Sequence, residues 1–270
     1  MYKIIFSDLD GTLLNYFDKK TFVSDKNLKA INSWLEENNY FSIATGRNIG
    51  SINRFLEKNM INFNLPLVLA NGALVYNHKK DEILYEKILD LRIIDEFINY
   101  FENISDAVLL LIESRKHFIL GAENKSYLDE INLKYPVVDK NFIKNLKIIK
   151  IGIIVKKEKS DEIREKIQKF GCFSLLNLIP SAPTYIEIVD KNISKMTGIK
   201  KALAFAGINK HQIYTIGDYL NDYEMIKQAD FGFAPNNAHV KILKIAKFIV
   251  SNHNEDAISD MISKIRNLNL

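Results

Sequence analysis

The sequence predicts an α/β protein, a parallel sheet with helical crossovers that is interrupted by an inserted α+β domain. Three observations predict it. In the first and last thirds, short apolar runs alternate with stretches of helical apolar spacing, the pattern of strand–helix–strand units. The middle third instead strings together strand-like runs, two of them separated by only a few polar residues, as in a hairpin. The length, 270 residues, fits one large or two modest domains at about 150 residues each.

Taken in order, residues 3–7 are too short an apolar run for a helix and read as a buried strand. Ser24 is placed to cap a helix that lines up Leu28, Ile31, Trp34 and Leu35 on one face. Strands follow at 40–44 and 65–70, with a helix over 49–58 between them through Ile52, Phe55 and Leu56. In the middle, strands are expected at 82–88, 107–113, 116–120, 148–155, 172–178 and 184–189. Helices are expected at 91–102, 125–134 and 160–170. The last third returns to alternation. A helix over 195–205, a strand over 212–216 and a helix over 223–228 come first. Strands at 230–234 and 248–250 flank a helix over 238–246, and a terminal helix starts near 256 with Ile258, Met261, Ile262 and Ile265 as its apolar face.

Composition narrows the function classes. Hydrophobic residues make up 47% and charged residues 26%, enough for a sizeable core. The 37 basic and 33 acidic residues leave +4, with the lysines scattered and no basic block interleaved with aromatics, so no nucleic-acid partner is expected. One cysteine and five histidines cannot build a disulfide framework or a cysteine-type zinc site. No apolar run approaches the ~18 residues of a membrane span. The N-terminal run reaches Asp8 too soon for a secretory signal, so a cytoplasmic setting is expected.

The chemistry-bearing residues follow strands. Asp8-Leu9-Asp10-Gly11-Thr12 puts two carboxylates two residues apart at a strand's C-terminal end, with a glycine to turn the chain. Gly217-Asp218-Tyr219-Leu220-Asn221-Asp222 does the same after a later strand. Ligands of open parallel sheets bind beyond such ends. If the two strands are neighbours, Asp8, Asp10 and Asp218 converge, and their repulsion calls for a cation. An all-oxygen donor set suits Mg²⁺ better than zinc or copper. Thr45-Gly46-Arg47, between a strand and a helix, has the make-up of a phosphate cradle or of a simple turn. Lys195 opens a helix, where a lone lysine is usually solvated surface.

In order, these motifs with Asn71-Gly72-Ala73 make the chain resemble the haloacid dehalogenase-like phosphohydrolases, and within them the Cof-type phosphatases. The resemblance covers essentially the whole chain. It implies a Rossmann-like three-layer core over 1–80 and 190–270, with an α/β cap over 81–189 that sets substrate specificity. It also implies a Mg²⁺-dependent phosphatase acting on small phosphorylated metabolites through an aspartyl-phosphate. Asp8 would be the nucleophile and Asp10 the acid–base. Asp8, the Asp10 carbonyl and Asp218 would hold Mg²⁺, with Asp222 acting through water or by orienting the others. Leu9, Thr45, Gly46, Lys195 and Asn221 would grip the phosphoryl oxygens, and Arg47, Asn71 and Gly72 would form a possible substrate loop. No membrane or nucleic-acid partner is implied, and oligomeric state is left open.

Two competing functions use the same residues. A phosphomutase would return the phosphoryl group to a sugar, and a non-catalytic phosphometabolite sensor would be expected to lose Asp10, Lys195 or an acidic-loop aspartate, all of which are present. Two segments depart from or extend the family pattern. Ala234-Pro235-Asn236-Asn237-Ala238 stands where Met-Gly-Asn-Ala is common, and Asn252, Glu255 and Asp256 resemble an acidic loop that reads as structural first. Cys172, in an apolar stretch with no histidine nearby, reads as a small buried hydrophobe.

Overall fold

The computed structural model describes residues 2–59, 61–101, 107–121 and 133–269. Its elements, in chain order, are β1 (Tyr2–Ser7), β2 (Asn15–Phe17), β3 (Lys20–Phe22), α1 (Asp25–Glu36), β4 (Tyr40–Ile43), α2 (Ile49–Lys58), β5 (Leu67–Leu69), β6 (Leu74–Asn77), β7 (Glu82–Glu86) and α3 (Leu91–Phe101). There follow β8 (Ala107–Ile112), β9 (His117–Leu120), β10 (Val137–Val138), β11 (Lys150–Val155), α4 (Ser160–Gln168), β12 (Leu176–Ala182) and β13 (Tyr185–Asp190). The chain closes with α5 (Lys195–Phe205), β14 (His211–Ile216), α6 (Tyr223–Gln228), β15 (Phe231–Pro235), α7 (Val240–Leu243), β16 (Phe248–Val250) and α8 (Ala257–Asn267).

The chain divides into two compact units: Met1–Arg47, Ser51–Tyr85 and Ser194–Leu270 form one, and Asn48–Gly50 with Glu86–Ile193 the other. In the first, five parallel strands run in the order β16-β15-β14-β1-β4. The chain leaves β1 toward β4 and later fills the other side, so the strand order switches between β1 and β14. That switch point is where such sheets bind ligands, beyond the carboxyl ends. Alternation along β1 explains the layers. Ile4 and Phe6 face a core built with Met196, Ile199, Ala202 and Leu203 of α5 and Met225 and Ile226 of α6. Tyr214, the register partner of Ile5, meets Trp34 of α1 edge-on, with ring centroids 6.2 Å apart, and α1 packs against α8.

The second unit holds a six-stranded sheet in the order β10-β9-β8-β11-β13-β12. β8 and β9 pair antiparallel, the hairpin anticipated from sequence, and β11 joins β8 and β13 antiparallel. One face, through Leu109, Leu111, Ile151, Ile153, Ile186 and Ile188, packs on Ile94, Phe97, Ile98 and Phe101 of α3 and Ile163 and Ile167 of α4.

Several expected elements move. The strand expected at 172–178 lies at β12, Leu176–Ala182, preceded by a short 3-10 turn. Its pairing with β13 shifts register between Pro180 and Ala182, the kind of irregularity at which a strand tolerates proline. The helix expected over 238–246 is the single turn α7. Cys172 is half-buried rather than buried, and its thiol donates to Glu96 Oε2 at 2.8 Å, which pushes the thiol pKa up. The hairpin β2–β3 and strand β6 were not anticipated. The helix expected over 125–134 falls largely outside the described residues. No helix among the described residues is long and apolar enough to cross a membrane.

Candidate active site

The site is built at the carboxyl ends of β1 and β14, which pair in parallel along their whole length. The Asp8 N–H donates to the Ile216 carbonyl at 2.8 Å, so the residue after β1 stays locked to the sheet. The chain then coils through one irregular turn, Leu9–Leu13, with Leu9, Thr12 and Leu13 buried. Gly11 stands at φ +84°, and a Cβ there would lie 2.6 Å from Asp218 Oδ2. Only glycine permits both the left-handed backbone and this approach of the two acidic loops. A Cβ at Gly217 would likewise fall 2.3 Å from Asp222 Cγ, so that glycine lets the second loop fold over its own carboxylate.

Lys195 sits between the acidic residues. Ser194 caps α5 in a reciprocal capping box with Thr197, which fixes Lys195 as the first helical residue. A Cβ at Gly198 would lie 2.7 Å from Gly72 Cα, so paired glycines bring α5 close against the 70–72 turn. The Lys195 ammonium, with no solvent exposure, donates to Asp8 Oδ1 at 2.5 Å and to Asp222 Oδ1 at 2.6 Å. The other Asp222 oxygen accepts the N–H groups of Asp218 and Tyr219 at 2.9 and 3.0 Å. Asp218 accepts the Thr12 hydroxyl at 3.0 Å.

This geometry sets the charges. Burial raises the Asp8 pKa well above the usual carboxylate value; Lys195 pulls it down, while Asp222, Asp218 and Asp10 push it up. Burial, with the Asp222 charge, lifts Asp218 to about 7 against the pull of Thr12 and Lys195. For Lys195, burial works against the charged form, but Asp222 and Asp8 more than reverse it and the ammonium stays protonated. Ligand oxygens of Asp8, Asp218 and Asp222 lie within 4.8 Å of one another, an all-oxygen set of the kind a hard divalent cation takes. Asp222 already spends both oxygens on Lys195 and main-chain N–H groups.

The expected convergence of Asp8, Asp10 and Asp218 needs correction. The third carboxylate of the cluster is Asp222, whereas Asp10 points into a more open region and forms a forked ion pair with Arg47. Arg47 Nε and Nη2 reach its two oxygens at 2.8 and 2.5 Å. The planar guanidinium matches both oxygens at once in a fixed geometry. Lys195 likewise contacts carboxylates, where a solvated surface position is the usual one for a lone lysine.

The flanking loops are tied together. The Thr45 N–H donates to the Val68 carbonyl, the Asn71 N–H to the Thr45 carbonyl at 3.0 Å, and the Ala70 N–H to the Arg47 carbonyl at 2.8 Å. Ala70, Asn71 and Gly72 all have positive φ, which curls this turn around residues 45–47. The Thr45 hydroxyl accepts the Arg47 N–H at 3.3 Å. Asn221 donates to Asn71 Oδ1 at 3.3 Å, joining the two loops. Leu9 and Thr45 are buried, and Gly46 lies between Thr45 and Arg47 in the same loop. Sequence reasoning missed Thr12 as a partner of Asp218 and Arg47 as the partner of Asp10; side chains 206 and 37 residues apart meet only through the fold.

Known proteins resemble the chain along nearly its whole length. The chain is 28% identical over 279 residues to YxeH of Bacillus subtilis (strain 168), covering 98% of each. It is 26% identical over 261 residues to the 5-amino-6-(5-phospho-D-ribitylamino)uracil phosphatase YcsE of the same organism, covering 96% of this chain and 94% of YcsE. The fold superposes on the sugar phosphatase BT4131, of HAD subclass IIB, with a TM-score of 0.80 at 19% identity, over 99% of both chains. A family model described as haloacid dehalogenase-like hydrolase matches residues 5–262, and the chain, an enzyme with that fold and that acidic site, belongs to this family.

Proposed function

We propose that the chain is a Mg²⁺-dependent phosphatase that hydrolyses monoesters of small phosphorylated metabolites through an aspartyl-phosphate. The observation that carries this is the buried Asp8–Lys195–Asp222 array at the β1/β14 switch point, with Asp10 two residues beyond Asp8. YcsE, similar along nearly the whole chain, is named for a small phosphorylated substrate, which supports the substrate class.

Asp8 is the nucleophile. Lys195 favours its ionised form and holds one of its oxygens in place. Asp10 hands a proton to the leaving oxygen and later takes one from water. To do so its carboxyl exchanges Arg47 for that oxygen, and the substrate phosphate offers Arg47 another anion. Leu9, Thr45, Gly46 and Asn221 hold the phosphoryl oxygens, with Arg47, Asn71 and Gly72 bordering the substrate; Lys195 compensates the charge. The residues fit a magnesium ion: Asp8 and Asp218 carboxylates and the Asp10 carbonyl would hold it, and Asp222, its oxygens already engaged, orients Lys195 and the Asp218 main chain. When bound, Mg²⁺ neutralises phosphoryl charge. The second unit would act as the cap that selects the substrate.

The test is phosphate release from p-nitrophenyl phosphate with and without Mg²⁺. Wild type is expected to turn over only with the metal, and Asp8→Asn to lose at least a thousandfold in kcat, on the order expected for a nucleophile, with an unchanged melting profile. Substantial turnover by Asp8→Asn would sink the assignment. Demand for a bisphosphate activator without free phosphate would indicate the mutase instead.

A further inference from the structure

The ends of β15 and β16 supply no reacting group, yet both reach the segment Gly11–Tyr16 that follows Asp10. After β15, the Asn237 side-chain amide donates to the Gly11 carbonyl at 3.0 Å. After β16, the His253 N–H donates to Asn237 Oδ1 at 2.9 Å. The His253 ring returns to the same segment, with Nδ1 2.7 Å from the Leu14 carbonyl; since a carbonyl only accepts, Nδ1 carries the proton. The Asn15 amide donates to the His253 carbonyl at 3.0 Å, and the Tyr16 N–H to Asn254 Oδ1 at 2.6 Å. Four successive points along Gly11–Tyr16 are therefore tied to two loops more than 220 residues away in sequence.

We propose that Asn237 and His253 are positioning residues, a clasp that fixes the Asp10–Gly11 turn in the geometry the reaction needs. This rests on the phosphatase reading. The physical case starts from Gly11. Its φ is +84° and Asp218 lies close against it, but glycine has the widest choice of backbone conformations. The turn's ends are pinned by Asp8 N–H to Ile216 and Leu14 N–H to Leu9, which leaves its middle to be fixed from outside. Thr12, through Asp218, does so on the inner side; Asn237 does so on the outer side. The task needs a side chain that donates to Gly11 and accepts from His253 together, which a primary amide does and an aspartate does not. The Gly11 carbonyl belongs to the peptide next to the Asp10 carbonyl, so a slack clasp would misaim both the Asp10 carboxyl and its main-chain oxygen. Outer partners of metal ligands are commonly worth about 10–100-fold in affinity or activity.

Asn237 is exposed and buries no core, so its removal separates positioning from folding. In Asn237→Ala and His253→Ala, kcat for p-nitrophenyl phosphate is expected to fall about tenfold or more, while KM changes by less than about threefold. The Mg²⁺ concentration at half-maximal thermal shift should rise by a similar factor. The metal-free Tm should stay within about 4 °C, the effect of one exposed hydrogen bond. His253→Asn, whose amide can take the place of the Nδ1 donor, should recover most of the loss. A purely structural role would lower Tm and leave kcat and the metal midpoint alone. Both values within twofold of wild type in Asn237→Ala and His253→Ala overturn the clasp. The metal midpoint is read without turnover, so a wild type that binds Mg²⁺ but releases no phosphate would sink the phosphatase reading, with the clasp still judged on that midpoint.

Discussion

Asp218 is a residue whose charge is held loosely. Burial and the Asp222 charge raise it to about 7, so without metal the folded chain keeps a proton there that the unfolded chain, at an ordinary carboxylate value near 3.8, has lost. Between those values the native state binds the extra proton, and metal-free stability falls as pH rises from about 4 to about 7, by up to about 1.4 kcal/mol per pH unit for one proton. A cation displaces that proton, so the Mg²⁺-induced rise in Tm is expected to grow from pH 5.5 to pH 8; a rise independent of pH would remove Asp218 from the metal's ligands. Gly11 sets the partner condition. Gly11→Ala must take a left-handed backbone at about 1–2 kcal/mol and drive its Cβ against Asp218. The expected result is loss of that stability by chemical denaturation and a weaker Mg²⁺ thermal shift, whereas the same change at Gly171, whose Cβ would meet nothing within 4 Å, should spare the metal response.

At the scale of elements, one helix end matters for chemistry and another for stability alone. Ser194 caps α5 by accepting the Thr197 N–H at 3.2 Å, and the next residue is Lys195. Ser24 caps α1 by accepting the Asn27 N–H at 3.1 Å, and its hydroxyl donates to Asp256 rather than to a carboxylate of the Asp8–Asp218–Asp222 cluster. Each cap is worth about 1 kcal/mol. Ser194→Ala and Ser24→Ala should therefore lose comparable stability by urea titration, while only Ser194→Ala lowers kcat, because fraying there lets Lys195 swing from Asp8 and Asp222. Equal kcat in the two variants would show that α5 positions Lys195 by packing alone. The Ser24 cap, the central strands and the two acidic loops were legible in the sequence because they rest on local rules: a capping serine, a buried apolar run, a turn glycine. The hairpin β2–β3 was not, since Tyr16, Phe17 and Phe22 are exposed and follow no buried alternation. Pro180 hid the second half of β12, as proline argues against a strand until a bulge is known to accommodate it. The Arg47–Asp10 pair was equally hidden: each residue was marked for chemistry, but their pairing depends on the turn at Ala70 that pulls the 45–47 loop across.

The whole molecule joins two cores of different kind. The first unit is assembled from three stretches of chain around a parallel sheet, and the second is nearly continuous, with an antiparallel sheet and its own helical layer. Each buries its own set of aliphatic and aromatic side chains. Cooperative unfolding follows shared burial, so separate cores favour separate transitions. Only the first unit carries the carboxylate cluster, and a ligand stabilises only the fold that binds it. Calorimetry is therefore expected to resolve two transitions, with Mg²⁺ raising one and leaving the other in place. Phe97 identifies the second: it has no solvent exposure, stacks on Phe101 and meets Phe170 edge-on, with ring centroids 5.7 and 5.3 Å away. Phe97→Ala removes about 3–5 kcal/mol of packing and should lower the Mg²⁺-insensitive transition without moving the other. If one transition responds to both the metal and Phe97→Ala, the two cores unfold as a single cooperative body, and mutations in the second unit would then reach the acidic site through global stability rather than through substrate selection.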